Sequence, residues 1–220
     1  MPVDEIHVWQ VSVSDVLSSL EEFWQVLDQA EKQKVERLRT NTDKNRAIVS
    51  HGFLRTLLGW YLGQDPLSIE FSYGLQGKPA ILGAELEFNV THSGDLILYA
   101  FASDCPVGID VECISHISEL QDLVNRFFSP DEQHRLASLS VSEQERAFFK
   151  LWTLREAYGK MKGGGLVDVI KDVDILYFLT NHAHSTFETF APLPHYVAAL
   201  VVDGCGRKVV HFDGFPGHTS

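Results

Sequence analysis

Apolar positions recur along the chain with two periods, and the switches between them set the expected elements. Ile6 to Val11 alternate with polar residues as a strand does. From Ser14 to Arg39 the spacing changes: Leu17, Leu20, Phe23, Trp24, Leu27, Ala30 and Leu38 fall three and four apart, which predicts helix. Thr42 or Asp43 can cap a second helix reaching about Leu62, with Ile48, Val49, Phe53, Leu54, Leu57, Leu58 and Tyr61 on its apolar stripe. A strand begins at Ile69-Glu70-Phe71, and the Gly-rich turn 73–79 carries Lys78. Leu86–Val90, Leu96–Ala102 and Val107–Cys113 read as strands separated by small polar turns.

Helical spacing then returns over Ile117–Phe128. Ser129-Pro130-Asp131-Glu132 is a helix start: a capping serine, a proline in the first turn, and acids near the positive end. Ser142-x-x-Glu145 fits a capping box and opens the longest helix, to about Met161. Gly159 lies inside it at about 1 kcal/mol relative to alanine, which points to close packing. Strands are expected at 166–170, 173–179, 186–190, 195–202 and 207–212, with Asn181-His182-Ala183-His184 as an exposed turn rather than a ligand pair. The layout is α+β, with two packed halves at 1–105 and 106–220 and no clear sequence repeat.

Charge narrows the function. Lys and Arg number 18 against 30 Asp and Glu, a formal charge of −12, which argues against nonspecific nucleic-acid binding. An anion site has to be assembled locally, and Lys32, Lys34, Arg37 and Arg39 form one basic cluster. The 3 cysteines form no CxxC, no basic segment precedes an apolar run at the start, and no stretch is apolar for long enough to span a bilayer. A reduced cytoplasmic protein, off the membrane, is expected.

In Gly108-Ile109-Asp110-Val111-Glu112, two carboxylates two apart share one strand face. Like charges so close need a cation or a proton. Glu156 and Lys160, four apart on the longest helix, add a third carboxylate and an ammonium. Three carboxylates with bases nearby suit Mg²⁺, which shares its shell between protein oxygens and substrate phosphates.

Val107-Gly108-Ile109-Asp110-Val111-Glu112 together with Trp152-Thr153-Leu154-Arg155-Glu156-Ala157-Tyr158-Gly159-Lys160 resembles the two-part signature of the 4'-phosphopantetheinyl transferases. Gly77-Lys78-Pro79, Asn89-Val90-Thr91-His92-Ser93-Gly94 and Arg126-Phe127-Phe128-Ser129 fit the same family in the same order. The length resembles its larger, single-chain pseudodimeric type. That resemblance implies two similar α+β subdomains with coenzyme A between them, and an apo acyl, peptidyl or polyketide carrier protein as the partner of a monomer. It implies Mg²⁺-dependent transfer of the phosphopantetheine arm to a carrier serine, with release of adenosine 3',5'-bisphosphate. Asp110, Glu112 and Glu156 match the family's metal carboxylates, and Lys160 matches its phosphate-contacting lysine. Lys78, His92 and Arg46 match contacts to the nucleotide end. The general base is Glu156 or, next, Glu112. The family usually has lysine where this chain has Arg155, so ligand geometry there is expected to differ. Phe127, Phe128 and Met161, flanked by Arg126 or Lys162, are candidates for carrier docking. Competing readings are a metal-dependent phosphohydrolase and a catalytically idle carrier-binding module.

Overall fold

Two long helices each lie across the outer face of a small sheet, and the two sheets meet by their inner faces. In chain order the elements are β1 (Glu5–Ser12), a 3₁₀ segment (Val13–Ser19), α1 (Leu20–Gln25), α2 (Gln29–Glu36), α3 (Asn41–Leu62), β2 (Phe71–Tyr73) and β3 (Pro79–Ile81). There follow β4 (Leu86–Ser93), β5 (Leu96–Ser103), β6 (Val107–Cys113), α4 (Leu120–Phe127), α5 (Pro130–Ala137) and α6 (Val141–Met161). The last are α7 (Ile175–Asn181), β7 (Ser185–Phe190), β8 (Tyr196–Asp203) and β9 (Lys208–Asp213). The computed structural model describes residues 1–74, 77–83, 85–163, 174–181, 185–204 and 206–215.

One sheet has the order β4-β5-β1-β9 and the other β6-β8-β7. Strand alternation divides each sheet between two cores. Trp9, Val11, Phe88 and Tyr99 pack under Val49, Phe53, Leu57 and Leu58 of α3. Ile6, Val8, Leu98 and Ala100 face Ile109, Val111, Ala198 and Leu200 of the second sheet. Ala199 and Val201 pack under Leu154 and Ala157 of α6. At Gly108 an added Cβ would stand 2.0 Å from the Ala157 carbonyl oxygen, so glycine is what lets β6 lie on the α6 backbone.

The two halves are alike, as expected of a pseudodimer. The order β4-β5-β1 recurs as β7-β8-β6, and the antiparallel pair Ile6–Ala102 recurs as Val107–Val202. The likeness extends to a buried ion pair. Glu31 Oε2 accepts the Asp28 N–H that opens α2 and the Nε of Arg55 on α3, at 2.9 and 2.7 Å. Glu132 Oε2 accepts the Ser129 N–H that opens α5, at 2.9 Å, and a guanidinium N–H of Arg155 on α6. Both arginines are buried, and each lies over a ring, Phe71 or Phe128, at 5.0 and 5.3 Å.

Several expected elements move. The helix over Ser14–Arg39 is three pieces: Val16 leaves helical geometry, and the Asp28–Glu31 capping box starts a new helix. Thr40, rather than Thr42 or Asp43, caps α3, accepting the Asp43 N–H at 3.0 Å. The box that opens α6 is Ser140–Glu143, while Glu145 turns away to accept the Ile117 N–H at 3.0 Å. The strand expected at 173–179 is α7, begun by Asp174 accepting the Tyr177 N–H at 2.9 Å and anchored by buried Ile175 and Leu179. β9 pairs parallel with β1, so this strand from the second half of the sequence completes the first sheet. The expected strand 166–170 and the turn at His182 and His184 lie outside the described residues.

Candidate active site at the seam between the sheets

The seam joins the edges of β4 and β6, and side chains of β4 stitch it. Asn89, Thr91 and Ser93 occupy alternate places, so they share one face of β4. Asn89 Oδ1 accepts the Ile109 N–H at 2.9 Å, and Ser93 Oγ accepts the Cys113 N–H at 3.0 Å. Between those ties, Thr91 Oγ1 donates to Asp110 Oδ1 and Ser93 Oγ to Glu112 Oε2, both at 3.1 Å.

Lys160 closes the site from α6. Its ammonium donates to Asp110 Oδ1 at 2.7 Å, Thr91 Oγ1 at 3.1 Å and the Ile109 carbonyl at 3.2 Å. Asp110 is buried, and its other oxygen, Oδ2, is buried with no hydrogen-bond partner. Burial, against the pull of Lys160, raises the pKa of Asp110. Glu112 and Glu156 are also raised, first by burial and then by the Asp110 charge. The three carboxylates thus sense one another while a single ammonium answers them.

Among the described residues, no three His, Cys, Asp or Glu side chains already converge at metal-binding spacing. The donor set nevertheless fits a hard divalent cation. An orphaned buried carboxylate oxygen, two half-buried carboxylates held above their usual range, and oxygen-only donors are what such an ion would satisfy.

The opposite face of β4 carries His92 toward α3. There Arg46, Ser50, His51 and His92 line a cavity of about 240 Å³. The pKa of His92 is lowered by burial, then by Arg46 and Lys160, so the positive groups on both faces of β4 act on it. The pKa of His51 is lowered by burial against the pull of Glu31, whose Oε1 is 3.6 Å away. Lys34, from the basic cluster, adds to that lowering, while Lys32 lies over Trp24. Asp43 also lines it and pairs with Arg46 at 2.6 Å, so a phosphate group there would meet two histidines, a hydroxyl and an arginine shared with a carboxylate.

The structure therefore puts Asp110 and Lys160 in contact, with Glu112 and Glu156 close enough to feel their charge, and separately brings Arg46 and His92 together. Lys78 stands apart: its ammonium donates to the Val107 carbonyl at 3.1 Å and pairs with Glu87 at 3.8 Å, at the far end of β6 from Glu112. Arg155, expected to alter ligand geometry, is buried against Glu132 and belongs to the scaffold. Phe128 and Met161, candidates for docking, are core residues, and Arg126 lies over the Phe127 ring. Sequence reasoning gave no role to Ser50 and His51, and took Thr91 and Ser93 only as neighbours of His92 in its motif. Their signals were one-turn spacing from Arg46 and polar residues at every second place on β4.

Comparison with known proteins bears on both halves. A family model described as 4'-phosphopantetheinyl transferase superfamily matches residues 106–202, and one described as 4'-phosphopantetheinyl transferase, N-terminal, matches 8–104. The 4'-phosphopantetheinyl transferase HetI of Nostoc sp. is 34% identical over 215 residues, covering 92% of this chain and 90% of its own. A putative 4'-phosphopantetheinyl transferase of Synechocystis sp. is 34% identical over 157 residues, covering 68% of this chain and 64% of its own. The 4'-phosphopantetheinyl transferase Sfp of Bacillus subtilis is 31% identical over 147 residues, with 66% and 64% covered.

Proposed function

Because this chain belongs to the 4'-phosphopantetheinyl transferase superfamily, we propose that its seam between β4 and β6 is where the phosphopantetheine arm changes hands. The protein transfers that arm from coenzyme A to an apo carrier protein and releases adenosine 3',5'-bisphosphate. The roles of individual residues are our reading of the geometry.

Asp110, Glu112 and Glu156 would hold Mg²⁺, which would supply positive charge to the coenzyme A pyrophosphate. Lys160, held at Asp110 and reaching over the seam, stabilises charge that builds on nonbridging phosphate oxygens as the carrier serine attacks. The new bond joins the serine oxygen to the β-phosphorus, and the bond from that phosphorus to the bridging oxygen breaks. The bridging oxygen leaves with the bisphosphate, and the serine proton passes to a carboxylate. Glu156 takes that role: Asp110 is committed to Lys160 and Thr91, and Glu112 to Ser93. Burial already raises the proton affinity of Glu156, which favours acceptance. Arg46 and His92, with Ser50 and His51, grip the nucleotide phosphate across β4.

The observation that carries this reading is the orphaned Asp110 oxygen beside Lys160, in a site short of positive charge. No helix among the described residues is long and apolar enough to cross a membrane. We place the protein in the cytoplasm, as a monomer, where coenzyme A and carrier proteins meet. The deciding experiment incubates apo acyl carrier protein with the protein, coenzyme A and Mg²⁺ and reads intact mass. A gain of one phosphopantetheine arm that Glu156→Gln greatly slows supports the assignment; an undiminished rate of gain with that variant removes Glu156 from the chemistry.

A further inference from the structure

Three features meet at Ser93. Its hydroxyl accepts the Cys113 N–H at 3.0 Å and lies 3.1 Å from Glu112 Oε2. An amide N–H can only donate, so the hydroxyl proton is left to point at the carboxylate. The turn that follows is fixed on both sides. Gly94 has φ +57°, and an added Cβ there would stand 2.9 Å from the Tyr196 hydroxyl. Asp95 accepts from the Ser14 hydroxyl at 2.6 Å, and its carbonyl from the Val13 N–H at 2.9 Å. Ser93 is thus an anchored donor on one half of the molecule, directed at a carboxylate on the other half.

The three carboxylates differ in how they are held. Asp110 takes hydrogen bonds from Lys160 and Thr91 and is buried, so its geometry is fixed by its surroundings. Glu112 is half-buried, has one more rotatable bond, and takes its bond from Ser93 across the seam. Without that bond, several rotamers are open to it, and only some aim an oxygen toward Asp110.

We propose that Ser93 is a positioning residue that orders Glu112 for the divalent cation shared with Asp110. This rests on the carboxylate roles proposed above. The bond uses only Oε2 of Glu112, which leaves Oε1 for the ion. The seam thereby links site assembly to the docking of the two halves.

Mn²⁺ serves as the probe, with free ion read by electron paramagnetic resonance in the presence of coenzyme A. Wild type, Glu112→Gln, Ser93→Ala and Ser93→Thr are compared, with thermal melts and steady-state rates on each. The expected result is a loss of about tenfold or more in Mn²⁺ affinity for Ser93→Ala. A lower kcat at unchanged coenzyme A KM should accompany it, and Ser93→Thr, which keeps the hydroxyl, should restore both. Wild-type affinity in Ser93→Ala beside weakened binding in Glu112→Gln would overturn the role of Ser93 and leave the carboxylate site standing. Unchanged binding in both variants would overturn the two readings together. Weakened binding that Ser93→Thr fails to restore, with a matching fall in melting temperature, would make Ser93 a packing residue of the seam and overturn the proposal.

Discussion

In the first half, α3 drives Arg55 into the capping box of α2; in the second, α6 drives Arg155 into that of α5. Around those arginines the halves diverge. One residue further along stand Thr56 and Glu156, and five further along stand Trp60 and Lys160. On the sheets, Trp9 sits opposite Tyr99 where Asp110 sits opposite Ala199, and Val11 opposite Ile97 where Glu112 sits opposite Val197. The first half thus has uncharged groups, two aromatic or aliphatic sheet residues, a threonine and a tryptophan, where the second has its acids and ammonium. Trp9 stacks on Phe212 at 4.3 Å and donates to the Tyr61 hydroxyl at 2.8 Å, and Tyr61 meets His7 at 2.6 Å. What both halves keep is the clamp holding the helix pair together. On the reading proposed above, chemistry is grafted onto one copy of a shared scaffold, and the other copy would supply phosphate contacts from α3 and β4.

That contrast can be broken by experiment. The largest effect should come from the clamps: Arg55→Ala and Arg155→Ala each strand a buried glutamate and should each cost about 3–5 kcal/mol in urea unfolding. A much smaller cost in one half would mean the likeness is only of shape. Next, Glu156→Gln should lower kcat by about 10²–10³-fold, a size usual for loss of one transition-state contact. Thr56→Ala, at the matching place in the first half, should leave the rate near wild type in the same intact-mass assay. Gly108→Ala should cost about 1–3 kcal/mol by overpacking, because the obstacle is α6 backbone. It should also lower activity in the material that remains folded, since β6 would be pushed off Lys160.

The smallest expected effect is a pH dependence. His92 has a lowered folded-state pKa, so below the unfolded value of about 6.5 the unfolded chain binds more protons than the native one. Its contribution to stability is therefore intact above that value and declines as the pH falls through it. Urea midpoints at neutral and mildly acidic pH should show this decline, reduced in His92→Asn. A decline of equal size in the variant would assign it to other groups.

Much of this was legible beforehand where a local pattern decides structure. The period of α3 and α6, the alternation of β1 and β6 and the apolar runs of β5 and β8 identified those elements, and Asp110, Glu112, Glu156 and Lys160 were visible as one charge set. Ile175–Asn181 was misread because a short apolar run with tyrosine and phenylalanine fits either period, and its helix depends on Asp174 and on packing. Two Ser-x-x-Glu matches two residues apart overlap the start of α6, and the choice lay in Glu145 reaching Ile117, a contact between distant segments. The duplication is marked by Arg55 and Arg155 and by their partners Glu31 and Glu132, which are too sparse to stand out among 220 residues. The bonds across the seam required knowing which strands are neighbours.

The parallel pairing of β9 with β1 has a consequence for the order in which the protein can be made. During synthesis, β1 emerges early, and one of its edges stays without its partner until nearly two hundred further residues have been added. The second sheet draws its strands from Val107 to Asp203 and can assemble before that partner arrives. The open β1 edge is therefore where a nascent chain would be most exposed to wrong pairing and most in need of a chaperone.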